Sequence, residues 1–381
     1  MNKPVIVSAK RTPIGKVDGI LRNTAPEQMA STLIQHVVRE NDIDPAAIDD
    51  VILGNVVGPG GNIARLSLLT SGLPVSVPGV TVDRQCGSGL EAISMAARFI
   101  QAGAGDVYIA GGTESTSLAP WKMERPKNLY KGMPRLYERA RFSPDSIGDP
   151  EMGEAAENVA REYGISRKDQ DQYALESHQK ASAAAEEGRF EEEIVSVSGL
   201  KQQTDECPRK RTSLKMLNRL PASFVENGTV TAGNSCPLND GASVVLIMSE
   251  EKAREWDLQP LAEVIDTVTA GVDPNVLGIG PVPAVEKCLR RNGITINDID
   301  VMEFNEAFAS QVLASLRELK MPLEKVNVSG GGIALGHPYG ASGAIITTRL
   351  MTEMKRQHAE IGLATMGIGG GMGIACLLKK R

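Results

Sequence analysis

Residues 82–92, VDRQCGSGLEA, join a strand-like run to a helical pattern. Apolar residues recur at helical spacing after the turn, at Leu90, Ile93, Ala97 and Ile100. Gly87 and Gly89 permit a sharp turn that leaves Cys86 at the helix N-terminus, like a nucleophile elbow with cysteine in place of serine. Free N–H groups and the helix dipole at that position stabilise a thiolate and can hold an oxyanion. We therefore expect Cys86 to be a nucleophile with a lowered pKa, although a free cysteine is most often a buried structural thiol.

Strand-like and helical segments alternate along the rest of the chain. The strand-like runs are Val51–Leu53, Val107–Ala110, Val244–Ile247 and Val326–Val328. The helical patterns cover residues 89–102, 153–187, 307–319 and 342–357. This alternation predicts an α/β protein with crossover helices.

An internal repeat predicts two duplicated halves. Residues 50–55, DVILGN, resemble residues 300–305, DVMEFN, and a glycine-rich turn and a helix follow each copy, around Cys86 and around His337. The offset of about 250 positions is too long for a solenoid repeat. We expect an N-terminal half of residues 1–116 plus 239–260, an inserted loop domain of residues 117–238, and a C-terminal half of residues 261–381.

His337 is one of four histidines and the only one set among glycines, in the loop 329–343, SGGGIALGHPYGASG. The other three, His36, His178 and His358, lie in helical, charged surroundings and are expected at the surface. A histidine in such a loop suits a general base that activates a cysteine. The alternative is a hydrogen-bonded structural histidine in a turn.

Asn305 follows the second copy of the repeated strand and begins the sequence NEAF. Two roles fit this position. The side chain can cap the helix that follows, or it can polarise a carbonyl group or fix a water molecule.

Composition excludes several classes of protein. Of the 381 residues, 41% are hydrophobic and 23% are charged, which is typical of a globular chain. The net charge of −6 argues against general binding of nucleic acid or of an anionic membrane. Five scattered cysteines without a CxxC pair argue against a disulfide framework or a zinc site and favour a reducing compartment. The N-terminal residues predict a strand and not a signal peptide, so we expect a cytoplasmic protein.

Two basic stretches stand out in this acidic chain, at 122–141 and at 209–219. A charge run usually forms a solvated face. The other interpretation is a binding site for a polyphosphate ligand, and the residues alone do not favour either.

Taken together, the motifs resemble those of the thiolases, which include acetyl-CoA acetyltransferase and 3-ketoacyl-CoA thiolase. The similar segments run nearly end to end: VIVSAKRTPIG at 5–15, the Cys86 stretch, GGTES at 111–115, MG at 152–153 with AEN at 156–158, TAGN at 231–234, NDGA at 239–242, GIGPVP at 278–283, NEAF at 305–308 and the His337 loop. The resemblance implies a five-layer αβαβα fold of two duplicated halves with an inserted loop domain.

The resemblance also implies a set of catalytic residues. Cys86 would take the acyl group, and His337 would activate it. His337 and a water held by Asn305 would stabilise one oxyanion. The backbone N–H groups of Cys86 and Gly369 would form a second oxyanion hole. The implied activity is thiolysis of 3-ketoacyl-CoA or condensation of two acetyl-CoA molecules, in fatty acid metabolism.

The same resemblance implies a coenzyme A site and a homo-oligomer. Arg209 would lie near the nucleotide, and Met152, Ser235, Cys236 and Phe308 would line the pantetheine channel. Coenzyme A and acyl-CoA would be substrates, with no permanently bound cofactor and no metal. The family assembles as homodimers or homotetramers.

One position departs from the family pattern. Gly367, in ATMGIGGGMG at 364–373, stands where thiolases carry a second cysteine that moves the C2 proton of acetyl-CoA. Cys236 occupies a place often filled by serine, and Cys376 is predicted on a strand beyond the glycines. Three hypotheses follow: a thiolase, a related enzyme limited to acyl transfer or thioester hydrolysis, and a CoA-thioester-binding protein without turnover.

Overall fold

The computed structural model describes residues 2–126, 128, 130, 132–137 and 139–381. The strands are β1 Pro4–Arg11, β2 Gly15–Lys16, β3 Asp50–Gly54, β4 Gly79–Val82, β5 Val107–Ser115, β6 Lys122–Glu124, β7 Arg135–Tyr137, β8 Asn239–Ser249, β9 Ala262–Gly271, β10 Val301–Phe304, β11 Ile361–Ile368 and β12 Met372–Lys380. The α-helices are α1 Pro26–Glu40, α2 Ile63–Thr70, α3 Ser88–Ala102, α4 Met152–Glu162, α5 Arg167–Glu186, α6 Leu214–Leu217, α7 Glu250–Glu255, α8 Pro281–Asn292, α9 Ala309–Leu319, α10 Gly332–Leu335 and α11 Tyr339–Gln357. The predicted basic stretch 122–141 includes Lys127 and Lys131, which lie outside the described residues.

The main sheet consists of two halves with the same pairing pattern. In the first half β1 is antiparallel to β8 and β8 to β5, while β5 and β4 lie parallel to β3 on either side of it. In the second half β9 is antiparallel to β12 and β12 to β11, while β11 is parallel to β10. A short pairing between β1 and β9 joins the two halves. The repeated segments form β3 and β10, which hold equivalent places, so the predicted duplication is confirmed.

Helices and sheet halves stack in five layers. α3 and α11 pack on each other between the two halves and share one core with both. α1 and α2 cover the outer face of the first half, and α8 and α9 cover the outer face of the second. β5 and β8 are buried at every residue because helices cover both faces of the sheet there. The layer order is therefore αβαβα, as predicted.

Two predicted elements differ from the structure. The helical pattern over 153–187 forms two helices, because Gly164 takes a left-handed conformation (φ +62°) and Ser166 caps the start of α5. The run Val326–Val328 is not a strand; Val326 forms a single parallel bridge to Met302 on β10.

The segment between β5 and β8 carries the β6–β7 hairpin and helices α4 to α6. α4 and α5 pack on α9, and α5 also packs on α10, beside the loops that carry Asn305 and His337. None of the described helices is both long and apolar enough to cross a bilayer.

Candidate active site

Cys86 lies in the tight turn between β4 and α3. Gln85, directly before it, has a left-handed backbone (φ +48°), a conformation that costs free energy in any residue other than glycine. Ser88 holds the turn, since its hydroxyl donates to the Gln85 carbonyl at 2.6 Å and accepts from the Arg84 N–H at 2.8 Å. Gly87 caps α3, and a Cβ there would overlap the side chain of Ile368 on β11. The cysteine is thus fixed between the start of α3 and the end of β11.

The predicted lowering of the Cys86 pKa is wrong. Burial raises the pKa of this thiol to about 11, and the nearby carboxylates Glu114 and Asp83 raise it further. The backbone N–H groups of Gly369 and of Cys86 itself donate to the sulfur and act in the opposite direction. Desolvation outweighs these two donors. Cys86 therefore rests as a neutral thiol that needs a base.

His337 lies between α10 and α11 and is 2% exposed. Its Nδ1 is 2.6 Å from the Ser342 hydroxyl, which donates its own proton to the Pro338 carbonyl at 2.9 Å. With that hydroxyl proton committed, we assign the imidazole proton to Nδ1 and the free lone pair to Nε2. Burial lowers the pKa of His337 to about 4, so the ring is neutral at pH 7. A neutral, orientated imidazole whose Nε2 carries a lone pair is a suitable general base.

Asn305 is placed beside this base. Its amide nitrogen is 3.4 Å from His337 Nε2, and its backbone N–H donates to the Thr365 carbonyl of β11 at 3.0 Å. α9 begins later, with Phe308 at its N-cap, so Asn305 does not cap that helix. The side chain is 2% exposed and free for a role in the site.

A cavity opens at the Cys86 thiol. Residues from several elements line it, among them Val57, Met152, Phe142, Tyr339 and Gly369. The Tyr339 ring packs edge-on against the His337 ring, with 5.2 Å between centroids, and so joins the histidine to this wall. Within the described residues the Cys86 and His337 side chains form no hydrogen bond with each other. Such contacts often tighten only when substrate binds.

The residues expected to line the coenzyme A channel lie on segments that contact one another. Cys236 N–H donates to the Ala307 carbonyl at 2.9 Å, and Ser235 forms a bridge with Phe308. The Phe308 ring packs edge-on against Phe224, at 6.0 Å between centroids. Phe224 in turn covers Gly153, the residue after Met152. Cys236 is partly buried, and desolvation together with the nearby Cys86 raises the pKa of its thiol well above the ordinary value.

Arg209 lies on an exposed loop. Hydrogen bonds through His178 and Asn239 connect this loop to the site. Its N–H donates to Nδ1 of His178 at 3.2 Å. His178, which we expected at the surface, is 3% exposed, because α5 packs under this loop. Two residues earlier, Cys207 accepts from the Asn239 amide at 3.2 Å, and the same Asn239 accepts the His337 N–H at 2.8 Å.

Sequence reasoning did not assign Glu114, in the quoted GGTES motif. This buried carboxyl group accepts from the N–H groups of Val56, Val57 and Gly340 and from the Asn55 amide, at 2.9 to 3.2 Å. Glu114 therefore holds Val56 and Val57, at one edge of the cavity, and the start of α11 in place. Burial raises the pKa of Glu114 to about 7. A charged residue close after the apolar run of β5 was the signal that could have identified it.

Cys376 is fully buried in the core shared by α3 and α11, so it does not replace the missing second cysteine. Gly367 is extended rather than left-handed and pairs with Gly373, one residue before the last paired residue of β11. The described residues hold no cluster of histidine, cysteine or carboxylate side chains arranged to bind a metal ion.

Comparisons with known proteins identify the family of the chain. The family profile of the thiolase N-terminal domain matches residues 4–251, and that of the thiolase C-terminal domain matches residues 258–380. Proteins named "Putative acetyl-CoA C-acetyltransferase VraB" from Staphylococcus epidermidis and Staphylococcus haemolyticus are 49% and 50% identical over 383 residues, which cover 100% of this chain and 99% of each relative. The crystal structure of the Bacillus anthracis acetyl-CoA acetyltransferase superposes with a TM-score of 0.93 at 40% identity, covering 100% of this chain and 99% of that one. The chain belongs to the thiolase family and is a thiolase-type acyltransferase.

Proposed function

We propose that the chain transfers acyl groups between coenzyme A thioesters through an acyl-Cys86 intermediate, in thiolysis of 3-ketoacyl-CoA or in condensation of two acetyl-CoA molecules. The observation that carries this proposal is the position of Cys86, in the turn that starts α3 and on the wall of a cavity that Gly369 also lines. Backbone N–H groups at such a turn are suited to an oxyanion hole for the carbonyl that the thiolate attacks.

The acylation half-reaction follows from the two side chains. His337 Nε2 takes the proton of the Cys86 thiol, and the thiolate attacks the acyl carbonyl carbon. The bond from that carbon to its leaving group breaks, and the protonated His337 returns the proton to the group that leaves. A pKa of about 4 makes His337 a weak resting base. The ion pair formed with the thiolate offsets the cost of charging the ring.

Asn305 has a supporting role in this account. Its amide lies beside His337 Nε2, so the two can hold a water molecule or the oxygen of a bound thioester between them. An orientated donor at this point stabilises negative charge on that oxygen in the transition state.

The coenzyme A site in this proposal is the wall formed by Met152, Ser235, Cys236 and Phe308, with Arg209 near the nucleotide. The Phe224–Phe308 pair supplies apolar surface for the pantetheine arm. Residues 117–238 would act as an inserted loop domain, between residues 1–116 plus 239–260 and residues 261–381. Coenzyme A enters as a substrate and is not held permanently.

The chain is proposed to be a cytoplasmic homodimer or homotetramer that acts in fatty acid metabolism. β4 forms an edge of the main sheet, and its four residues are only partly covered. An open edge of this kind is suited to pairing with a second copy. Large apolar side chains around the β6–β7 hairpin are also exposed, with Trp121 at 87% and Met133 at 88%.

Thiolysis assays test this proposal. Purified protein is given acetoacetyl-CoA and CoA, and then longer 3-ketoacyl chains, while the release of acetyl-CoA is measured. The Cys86→Ser and His337→Ala variants should lose about 10³-fold or more in kcat, since these groups act as a unit. Full activity in Cys86→Ser would refute the acyl-Cys86 route. Cys376→Ser is the matched control, because that thiol lies in the core.

A further inference from the structure

Glu114 connects the two halves of the chain beside the reacting groups. Cys86 belongs to the first half, before α3, and His337 belongs to the second half, before α11. Oε2 of Glu114 accepts from the Gly340 N–H at the start of α11 at 3.0 Å and from the Val56 N–H at 2.9 Å. One side chain on β5 therefore holds both the helix that follows His337 and a wall of the Cys86 cavity.

The start of α11 lies in direct backbone contact with the first half of the chain. A Cβ added to Gly54, Gly89 or Gly112 would overlap the carbonyl oxygen of Gly340. Glycine at these three positions lets the start of the helix approach this closely. The glycines permit the approach, and the hydrogen bond from Gly340 to Glu114 supplies an attraction that maintains it.

The hydrogen bonds of Glu114 fit its ionised form. Its second oxygen, Oε1, accepts from the Asn55 amide at 3.0 Å and from the Val57 N–H at 3.2 Å, so each oxygen has two donors. A carboxylate only accepts hydrogen bonds, whereas a protonated carboxyl group carries an O–H donor of its own. That O–H would point at N–H groups, so the four bonds as a set require the carboxylate.

The part of α11 that Glu114 holds also carries the contacts of the base. Tyr339, directly before Gly340, lines the active-site cavity, and its ring packs on His337 with 5.2 Å between centroids. Ser342, in the first turn of the helix, is 2.6 Å from His337 Nδ1. A displacement of the start of α11 therefore moves the imidazole relative to the thiol.

We propose that Glu114, as a carboxylate, is a positioning residue for acyl transfer: it holds the start of α11 against the first half of the chain, so that His337 Nε2 reaches the proton of the Cys86 thiol. This inference rests on the acyl transfer proposed above. Glu114 acts through the Gly340 N–H and exchanges no proton with the substrate.

The surroundings of Glu114 favour its protonation. Burial raises its pKa to about 7, and Asp83, in the turn before α3, adds to the shift against the three backbone N–H donors. Two other titratable groups face it, Cys86 in the same turn and Tyr339 on α11, and both are neutral at pH 7 because burial raises their pKa. On the neighbouring strand β8, Gly241 lies opposite Glu114.

Activity and stability should therefore depend on pH in opposite ways. Glu114 binds a proton as pH falls through about 7, the four bonds weaken, and kcat falls. His337 and Cys86, with pKa values of about 4 and about 11, do not titrate in this range. Stability falls as pH rises from 4.5, the ordinary pKa of Glu114, to about 7, because folding disfavours the charged form.

The experiment measures exchange of labelled CoA into acetyl-CoA, which reports acyl transfer to Cys86. Glu114→Gln keeps the shape of the side chain but places an NH2 group against N–H donors. We expect kcat at pH 8 to fall about 10²-fold, the loss that a misplacement of about 1 Å causes. The KM for CoA should change less than about twofold, because Glu114 contacts no substrate. Glu114→Asp, which keeps the carboxylate, should recover part of the rate.

The ratio of the natural rate to the Glu114→Gln rate cancels the ionisation of CoA itself. It should shrink about tenfold from pH 8 to pH 6, since the ionised fraction of a group with a pKa of about 7 changes by about that factor. Asp49→Asn is the matched control, because Asp49 accepts from the Asp106 and Val107 N–H groups at the other end of β5. Its rate should stay within about a factor of two, the effect of a surface change.

A Glu114→Gln rate close to the natural rate at pH 8, or a ratio that is the same at pH 6 and pH 8, overturns the proposal. If Glu114→Gln does not fold, the natural protein decides: its kcat must fall from pH 8 to pH 6 while its melting temperature rises, and a flat kcat overturns the proposal. If the natural protein exchanges no CoA, the proposed function itself fails. If it exchanges CoA and Glu114→Gln does so equally fast, only the role of Glu114 fails.

Discussion

Restoring a thiol at position 367 should accelerate carbon–carbon chemistry, and the gain should depend on Gln311. Gly367 is not left-handed, so its backbone accepts a side chain without strain. The obstacle is the Gln311 amide, the flexible end of a side chain, and not backbone. Gly367→Cys alone must therefore displace that amide, while Gly367→Cys combined with Gln311→Ala has room for the thiol.

The expected size follows from two opposing effects. A positioned acid–base group contributes about 10²–10⁴-fold in rate. Overpacking costs about 1–3 kcal/mol, and each 1.4 kcal/mol is a factor of about ten. With the lower end of that contribution, about 10²-fold, Gly367→Cys alone should thus gain between nothing and about 20-fold over the natural protein. The double variant should gain about 10²-fold over Gln311→Ala alone.

The assay is the loss of acetoacetyl-CoA absorbance in the presence of CoA, with melting temperature and CoA exchange as controls for folding and acylation. A double variant that folds and exchanges CoA, but cleaves acetoacetyl-CoA no faster than Gln311→Ala, would refute the reasoning. The space beside Gln311 would then not be where the C2 proton moves.

Four further results are expected. Alkylation of Cys86 by iodoacetamide should rise about tenfold per pH unit from pH 7 to 10, because burial raises its pKa to about 11 and the thiolate forms only as pH approaches that value; a plateau below pH 8 would contradict this. Asn305→Ala should lower kcat about 10²–10³-fold with little change in KM, as for other oxyanion donors, and steady-state kinetics that show only a KM change would count against it. Arg209→Ala should raise the KM for CoA more than it lowers kcat, because the lost contact exists in ground and transition states alike; an unchanged KM removes the assignment. Light scattering should give at least twice the chain mass of 40.6 kDa, and a monomer at micromolar concentration would reject the dimer.

The architecture was predictable because the chain contains an internal sequence repeat. The repeated segments at 50–55 and 300–305 form equivalent strands, and alternating strand-like and helical runs indicate crossover helices without knowledge of any contact. The break between α4 and α5 was not predictable from the charged helical pattern, since it depends on one left-handed glycine, Gly164.

The candidate catalytic residues could be named from local motifs, but their electrostatics could not be predicted. Cys86 does lie in a turn at the start of a helix, as its glycines indicate. Desolvation sets the direction in which the pKa of Cys86 shifts. The degree of desolvation depends on how β11 and α11 pack around the thiol. Likewise, the tautomer of His337 depends on Ser342 and Pro338, and the contact between Gln311 and Gly367 joins residues far apart in the chain. These contacts are set by the three-dimensional structure and are not visible in the sequence.

Identification of the acylated residue tests the central claim most directly. The protein is mixed with acetoacetyl-CoA, quenched in acid within milliseconds to seconds, digested, and mapped by mass spectrometry. The account predicts an acetyl group on the peptide that contains Cys86, which disappears when CoA is added before the quench and is absent from Cys86→Ser. An acetyl group on Cys207 or Cys236 instead, or product formation without any acylated cysteine, would contradict it.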